Sequence, residues 1–198
     1  VIQSKEDYLF YCEADRVALN IQSTFPQIFI HEVWRFERLL RKVEFYKNCR
    51  NSLIFKPYYL YLYLRFRRLS VKMGYHIPLN VFGPGLSIAH PGTLIVNDGA
   101  QVGENCRIHN CVHIGTQAGF TDAAPKIGNN VFIGPGVVLF GDIEVADDIA
   151  IGANAVVNKS FTEKGITIAG VPARKVSDKG FDRCYKKSTE IVRKRNTQ

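Results

Sequence analysis

The chain has no Cys-x-x-Cys pair and no cysteine–histidine spacing of a zinc finger; its five cysteines, Cys12, Cys49, Cys106, Cys111 and Cys184, are scattered and odd in number. That excludes a disulfide framework and predicts a reducing, cytoplasmic setting. No apolar stretch of signal-peptide type follows Val1. Nor is there an apolar run long enough to span a bilayer: the best candidate, PYYLYLYLRFRRLSVKM from Pro57 to Met73, turns basic halfway. A single basic block is missing too. Net charge is +8, but residues 1–75 hold 13 basic and 7 acidic groups, residues 76–170 hold 4 and 8, and residues 171–198 hold 9 and 3. A nucleic-acid binder gathers its cations on one face. Basic flanks around an acidic centre predict no nucleic-acid partner.

The centre has a strict period. An aliphatic side chain recurs every sixth position at Val96, Val102, Ile108 and Ile114, then at Ile127, Ile133, Leu139, Val145, Ile151 and Val157. Four residues after each of them except Val157 comes a second small or β-branched residue: Ala100, Cys106, Val112, Ala118, Val131, Val137, Ile143, Ile149 and Ala155. One place earlier stand Gly99, Asn105, Asn130, Gly136, Asp142, Asp148 and Asn154, interrupted by Cys111 and Gln117. Glycine, asparagine and aspartate accept the left-handed backbone of a tight corner. Period six with corner residues is the signature of a parallel β-helix built from hexapeptides.

Three segments follow, with the coil in the middle. Residues 1–75 read as helical, residues 76–170 as the coil, and residues 171–198 as a basic extension of weak helical character. Ser4 with Asp7 makes an acidic capping box before a helical run from Lys5 to Leu19, which Pro26 interrupts. Val33, Phe36, Leu40 and Val43 give a second helix its apolar face, with Arg35, Arg38, Arg41 and Lys42 at the other positions. Pro57 opens a third helix that Gly74 stops. Its aromatic and basic sequence suits burial against neighbouring subunits or rest on a membrane surface. Between Ile77 and Val96 the pattern is irregular and marks an imperfect first coil. The spacing from Ile114 to Ile127 is thirteen, so residues Phe120 to Lys126 leave the coil as a loop, where function tends to sit.

These hexads, the extruded loop and the closing Gly170-Val171-Pro172-Ala173-Arg174 resemble the hexapeptide-repeat acyltransferases. Within them FGPGLSIAH, followed six residues later by Val96, resembles the serine acetyltransferase family over roughly residues 80–176. The resemblance implies a left-handed parallel β-helix with an α-helical N-terminal segment. It further implies a homotrimer with acetyl-CoA between adjacent coils, and N-terminal helices through which two trimers can pair. It places the catalytic histidine at His90, as general base for an acceptor hydroxyl that attacks the thioester. Gly134, Pro135, Gly152, Ala153 and Gly170 fall at positions along the pantetheine arm, with Arg174 and Lys175 near the CoA phosphates.

The departures bear on the acceptor. The aspartate that precedes the family's histidine is here Ala89. The loop motif D-R-H-P-K-I becomes Asp122-Ala123-Ala124-Pro125-Lys126-Ile127, without the arginine that would hold a serine carboxylate, and the family's terminal isoleucine is absent. These losses favour a sugar hydroxyl in surface polysaccharide synthesis as acceptor, with serine as the alternative. Asp122, His113, Asp98 and Glu104 are candidates to assist His90. Two other readings use the same coil. His90, His109 and His113 supply the residue type of a three-histidine zinc site, as in γ-type carbonic anhydrases, and a β-helix can also be a non-catalytic scaffold. The acetyltransferase reading expects no metal.

Overall fold

A computed structural model describes residues 1–22, 31–120, 123–181 and 187–196. Hexads with an inward aliphatic form short strands that wind into a three-sided prism. The first face stacks β1 (Tyr75–His76), β3 (Leu94–Val96), β6 (Val112–Gly115), β9 (Val138–Phe140) and β12 (Val156–Val157). The second stacks β4 (Gln101–Val102), β7 (Lys126–Ile127) and β10 (Glu144–Val145). The third stacks β2 (Ser87–Ile88), β5 (Arg107–Ile108), β8 (Phe132–Ile133), β11 (Ala150–Ile151), β13 (Thr167–Ala169) and β14 (Arg174–Ser177). The chain visits the faces in that order, so a coil is three hexads and Ile114 lies beside Val96, as Ile151 does beside Ile133. All pairs are parallel except the last, where β14 runs antiparallel to β13.

Every period-six aliphatic is buried, which is the physical origin of the period. Two expectations shift. Ala118 is exposed rather than inward, because the excursion from the coil already begins after Gly115. Lys126 belongs to β7 rather than to the loop, and Ala124 is buried in the core beside Gly99. Asn105, Asn130, Asp148 and Asn154 take the positive φ expected of corners; Cys111 does so as well, and Gly141 takes the corner assigned to Asp142.

Helix α1 (Lys5–Ala18) carries the expected cap: Ser4 Oγ accepts from the Asp7 amide at 2.9 Å, and Asp7 Oδ2 accepts from the Gln3 amide at 2.9 Å. Pro26 lies outside the described residues. Helix α2 (Glu32–Cys49) buries Val33, Phe36, Leu40 and Val43. Helix α3 (Lys56–Met73) has Pro57 in its first turn and Gly74 at φ 75° as its left-handed stop.

On the polar side of α2, Arg41 is buried. Glu37, Arg41 and Glu44 are all buried, and with Asn48 they form one stripe at helical spacing. The stripe meets the open edge of the first coil, whose outer amides and carbonyls have no preceding coil to pair with. Arg41 donates to the carbonyls of Phe82 and Gly83 at 2.9 and 2.7 Å. Asp15 of α1 accepts from the amides of Gly85 and Leu86, both at 2.8 Å, Glu37 from that of Ile88 at 3.0 Å, and Glu44 from that of Asn80 at 2.7 Å. Arg41 joins the carboxylates, at 2.7 Å to Asp15 and 3.0 Å to Glu44. Left unmade, each such buried bond costs about 1–3 kcal/mol. Acidic side chains and an arginine thus stand in for a missing strand.

The basic extension folds back. Helix α4 (Ser188–Asn196) docks on α1 and on the edge between the second and third faces. There Asn105 Oδ1 accepts from Ser188 Oγ at 2.9 Å and from the Thr189 amide at 3.0 Å, while its Nδ2 donates to Thr189 Oγ1 at 2.8 Å. Arg193 pairs with Glu104 at 2.6 Å.

Candidate active site

Four turns lead from the third face to the first, and with the turn that joins β13 to β14 above them they stack along one edge of the prism. From the capped end upward, this edge carries His90, then His109-Asn110-Cys111, Gly134-Pro135-Gly136, Gly152-Ala153-Asn154 and Gly170. The expected base and the expected small residues of the cofactor groove are thereby brought to one line. The turns hold one another: Gly136 donates its amide to the Asn110 carbonyl at 3.2 Å, and Asn154 donates to Pro135 at 2.8 Å. At Gly134 a Cβ would meet the backbone of Ile151 and Ala153 at 2.8 Å, so the close approach of coils itself requires glycine there. Pro135, Ala153 and Gly170 are exposed and leave the upper edge low and open.

His90 is exposed on this edge, and its carbonyl accepts from the Tyr75 hydroxyl at 3.0 Å. Burial, with the charges of Glu37 and Glu32, raises the Tyr75 pKa, so the donor keeps its proton. The His109 ring is 5.9 Å from the His90 ring, centre to centre, and 5.2 Å from Phe132. His109 Nε2 is buried without a hydrogen-bond partner among the described residues. Burial lowers the His109 pKa, and Arg107 and His90 add to the effect, which keeps the imidazole neutral. Arg107 itself donates to Ser87 Oγ at 2.6 Å on the outward side of the third face. Sequence reasoning weighed His109 only as a metal ligand. The signal was its place, one residue past inward Ile108 in the strand paired with that of Ile88.

The candidate assistants of His90 are not brought to its edge. His113 is exposed in the middle of the first face, between Ile95 and Val138 in register. Asp98 stands on the edge between the first and second faces, and Glu104 is taken up by Arg193 on the remaining edge. Asp122 lies outside the described residues. The loop leaves from the first–second edge, so the whole width of the first face separates its roots from His90 within one chain. Among the described residues no group of three His, Cys, Asp or Glu side chains is placed to hold a metal ion, so His90, His109 and His113 do not form the three-histidine site within the chain. Arg174 is exposed on β14, whereas Lys175 is paired with Glu163 and Asp178 at 2.5 and 2.6 Å.

The architecture is that of the hexapeptide-repeat acyltransferases, a left-handed parallel β-helix behind an N-terminal helical segment. Within that class the similarity is to serine acetyltransferases. The chain is 34% identical over 96 residues to the serine acetyltransferase of Helicobacter pylori strain J99, an alignment covering 48% of this chain and 56% of the relative. With that of Mycobacterium tuberculosis it shares 32% over 111 residues, covering 55% and 47%. The chain thus spans about half the length of the curated relatives it matches. The Brucella abortus serine acetyltransferase in complex with coenzyme A superposes with a TM-score of 0.67 at 27% identity, over 89% of this chain and 68% of that one. The Neisseria gonorrhoeae serine acetyltransferase, at 24% identity and TM-score 0.69, shares the fold over 88% of this chain and 68% of its own. No family model matches the chain.

Proposed function

We propose that this protein is an acetyl-CoA-dependent O-acetyltransferase. The observation that carries the reading is the shared edge: His90 stands at the foot of a line of exposed small residues, Pro135, Ala153 and Gly170, in a fold it shares with a coenzyme A complex. A thioester laid along that edge would bring its carbonyl toward His90. The imidazole takes the proton of an acceptor hydroxyl as the oxygen attacks the thioester carbonyl. The tetrahedral centre then collapses, the C–S bond breaks, and the imidazolium returns the proton to the departing CoA thiolate. Imidazole can both take and return a proton, which is what a general base that later acts as acid requires. Arg174 is the cation we assign to the CoA phosphates.

For the acceptor we assign serine. The expectation of a sugar rested on Ala89, Ala123 and Ala124, and the relatives and structures compared above give it no support, since each is named a serine acetyltransferase. We further assign a homotrimer, in which the loop of a neighbouring copy reaches the His90 edge and supplies Asp122.

The test is thiol release from acetyl-CoA against serine and a panel of sugars and nucleotide sugars. Turnover of serine is expected. Turnover of sugars alone would restore the polysaccharide reading, and no CoA binding by calorimetry would leave the β-helix a scaffold.

A further inference from the structure

Helix α3 keeps an outward face that the coil does not use. Leu60, Leu64 and Val71 are exposed, and at spacings of four and seven they fall on one side of the helix. Arg67 and Arg68 flank that stripe on either side, with Arg65 and Lys72 beyond Arg68. The 3₁₀ turn Leu53–Phe55 precedes the helix and carries Leu53 and Ile54, 77% and 85% exposed. The charge carried by this segment itself has one sign only. From Phe45 to Asn97 the sequence contains no aspartate or glutamate, yet it contains seven lysines and arginines, Lys56 among them. No helix among the described residues is long and apolar enough to cross a membrane.

We infer that the outer face of α3, with Leu53 and Ile54, docks the protein on an anionic phospholipid surface. An apolar stripe bordered by cations and free of acid is the pattern of a helix lying in a bilayer interface, the leucines entering the acyl boundary while the arginines reach the headgroups. Charge complementarity selects this occupant over a two-fold mate. Pairing the face with its own copy would set Arg65, Arg67, Arg68 and Lys72 against their equivalents with no carboxylate between them. Lipid phosphates supply the missing anions, and the helix lies on the bilayer without spanning it. The inference stands apart from the acetyl-transfer reading, since its readout is binding.

The experiment is co-sedimentation of the full chain with vesicles of phosphatidylcholine containing phosphatidylglycerol, and with phosphatidylcholine alone. Binding to the anionic vesicles is expected to be about tenfold tighter than to neutral ones and to weaken with salt. The variants Leu60→Glu with Leu64→Glu, and separately Leu53→Glu with Ile54→Glu, should each cut it about tenfold while sedimentation velocity finds the oligomeric state unchanged. No vesicle binding by the parent protein, or undiminished binding by both variants, overturns the inference. So does a change of oligomeric state in either variant, which would make the face a contact between chains.

Discussion

The rings of His90 and His109 stand 5.9 Å apart on successive coils, the first exposed and the second wedged against Phe132. One can meet an acceptor while the other shapes its surroundings. Replacing His90 by Ala is expected to lower acetyl transfer by roughly 10²–10⁴-fold while calorimetry finds CoA binding unchanged. Turnover equal to the parent's would remove His90 as the base.

Arg41 is the hub of the buried cap. Burial alone would lower its pKa, but Asp15 and Glu44 outweigh that and hold the guanidinium charged. Arg41→Met leaves two carboxylates sealed in without a counter-charge and two carbonyls without a donor. A loss of about 3–5 kcal/mol is expected in urea unfolding. A loss under 1 kcal/mol would mean that the carboxylates find water.

Glu37 gives the protein a pH dependence of defined sign. Burial, then the charge of Asp15, raises its pKa well above the ordinary 4.5, so the folded state holds a proton that the unfolded chain has released. Its stabilising contribution is therefore complete below the unfolded value and is lost as pH rises from there through the folded value. Glu37→Gln keeps an acceptor for the Ile88 amide and removes the titration. The variant should match the parent near pH 4 and exceed it in stability at pH 7, as read by denaturant midpoints. Parallel curves at both pH values would place the protonation elsewhere.

Asn105 ties α4 to the coil through three hydrogen bonds. Asn105→Ala leaves Ser188 and Thr189 buried without these partners, at a cost of about 1–3 kcal/mol. Hydrogen exchange should quicken in residues 188–196 and in the facing turns of α1, with the coil unaffected. Uniform acceleration across the chain would mean that α4 is part of the global unfolding unit.

The coil was legible because a narrow prism admits only aliphatic side chains at fixed intervals, and a period of six has no other ready source. Loop boundaries were less so: Ala118 continues the pattern in sequence but lies outside the prism, since an alanine fits either place. The cap escaped reading for a different reason. Glu37, Arg41 and Glu44 look like the solvated side of an amphipathic helix, and nothing in a hydropathy pattern says that this side faces unpaired backbone rather than water. At the candidate site, His90 and the small residues of the upper turns lie on one edge. His113 does not, because a shift of four residues along a coil carries a side chain from an edge onto a face.

Stacked coils offer bare backbone at each end, and bare strand edges recruit more strand. Here one end is occupied by carboxylates and a guanidinium, and the other by β14, which reverses direction against β13. The protein has therefore built a terminus into each end of a repeat that could otherwise propagate from molecule to molecule. The acids and the arginine beneath α2 keep a solenoid from becoming a fibre.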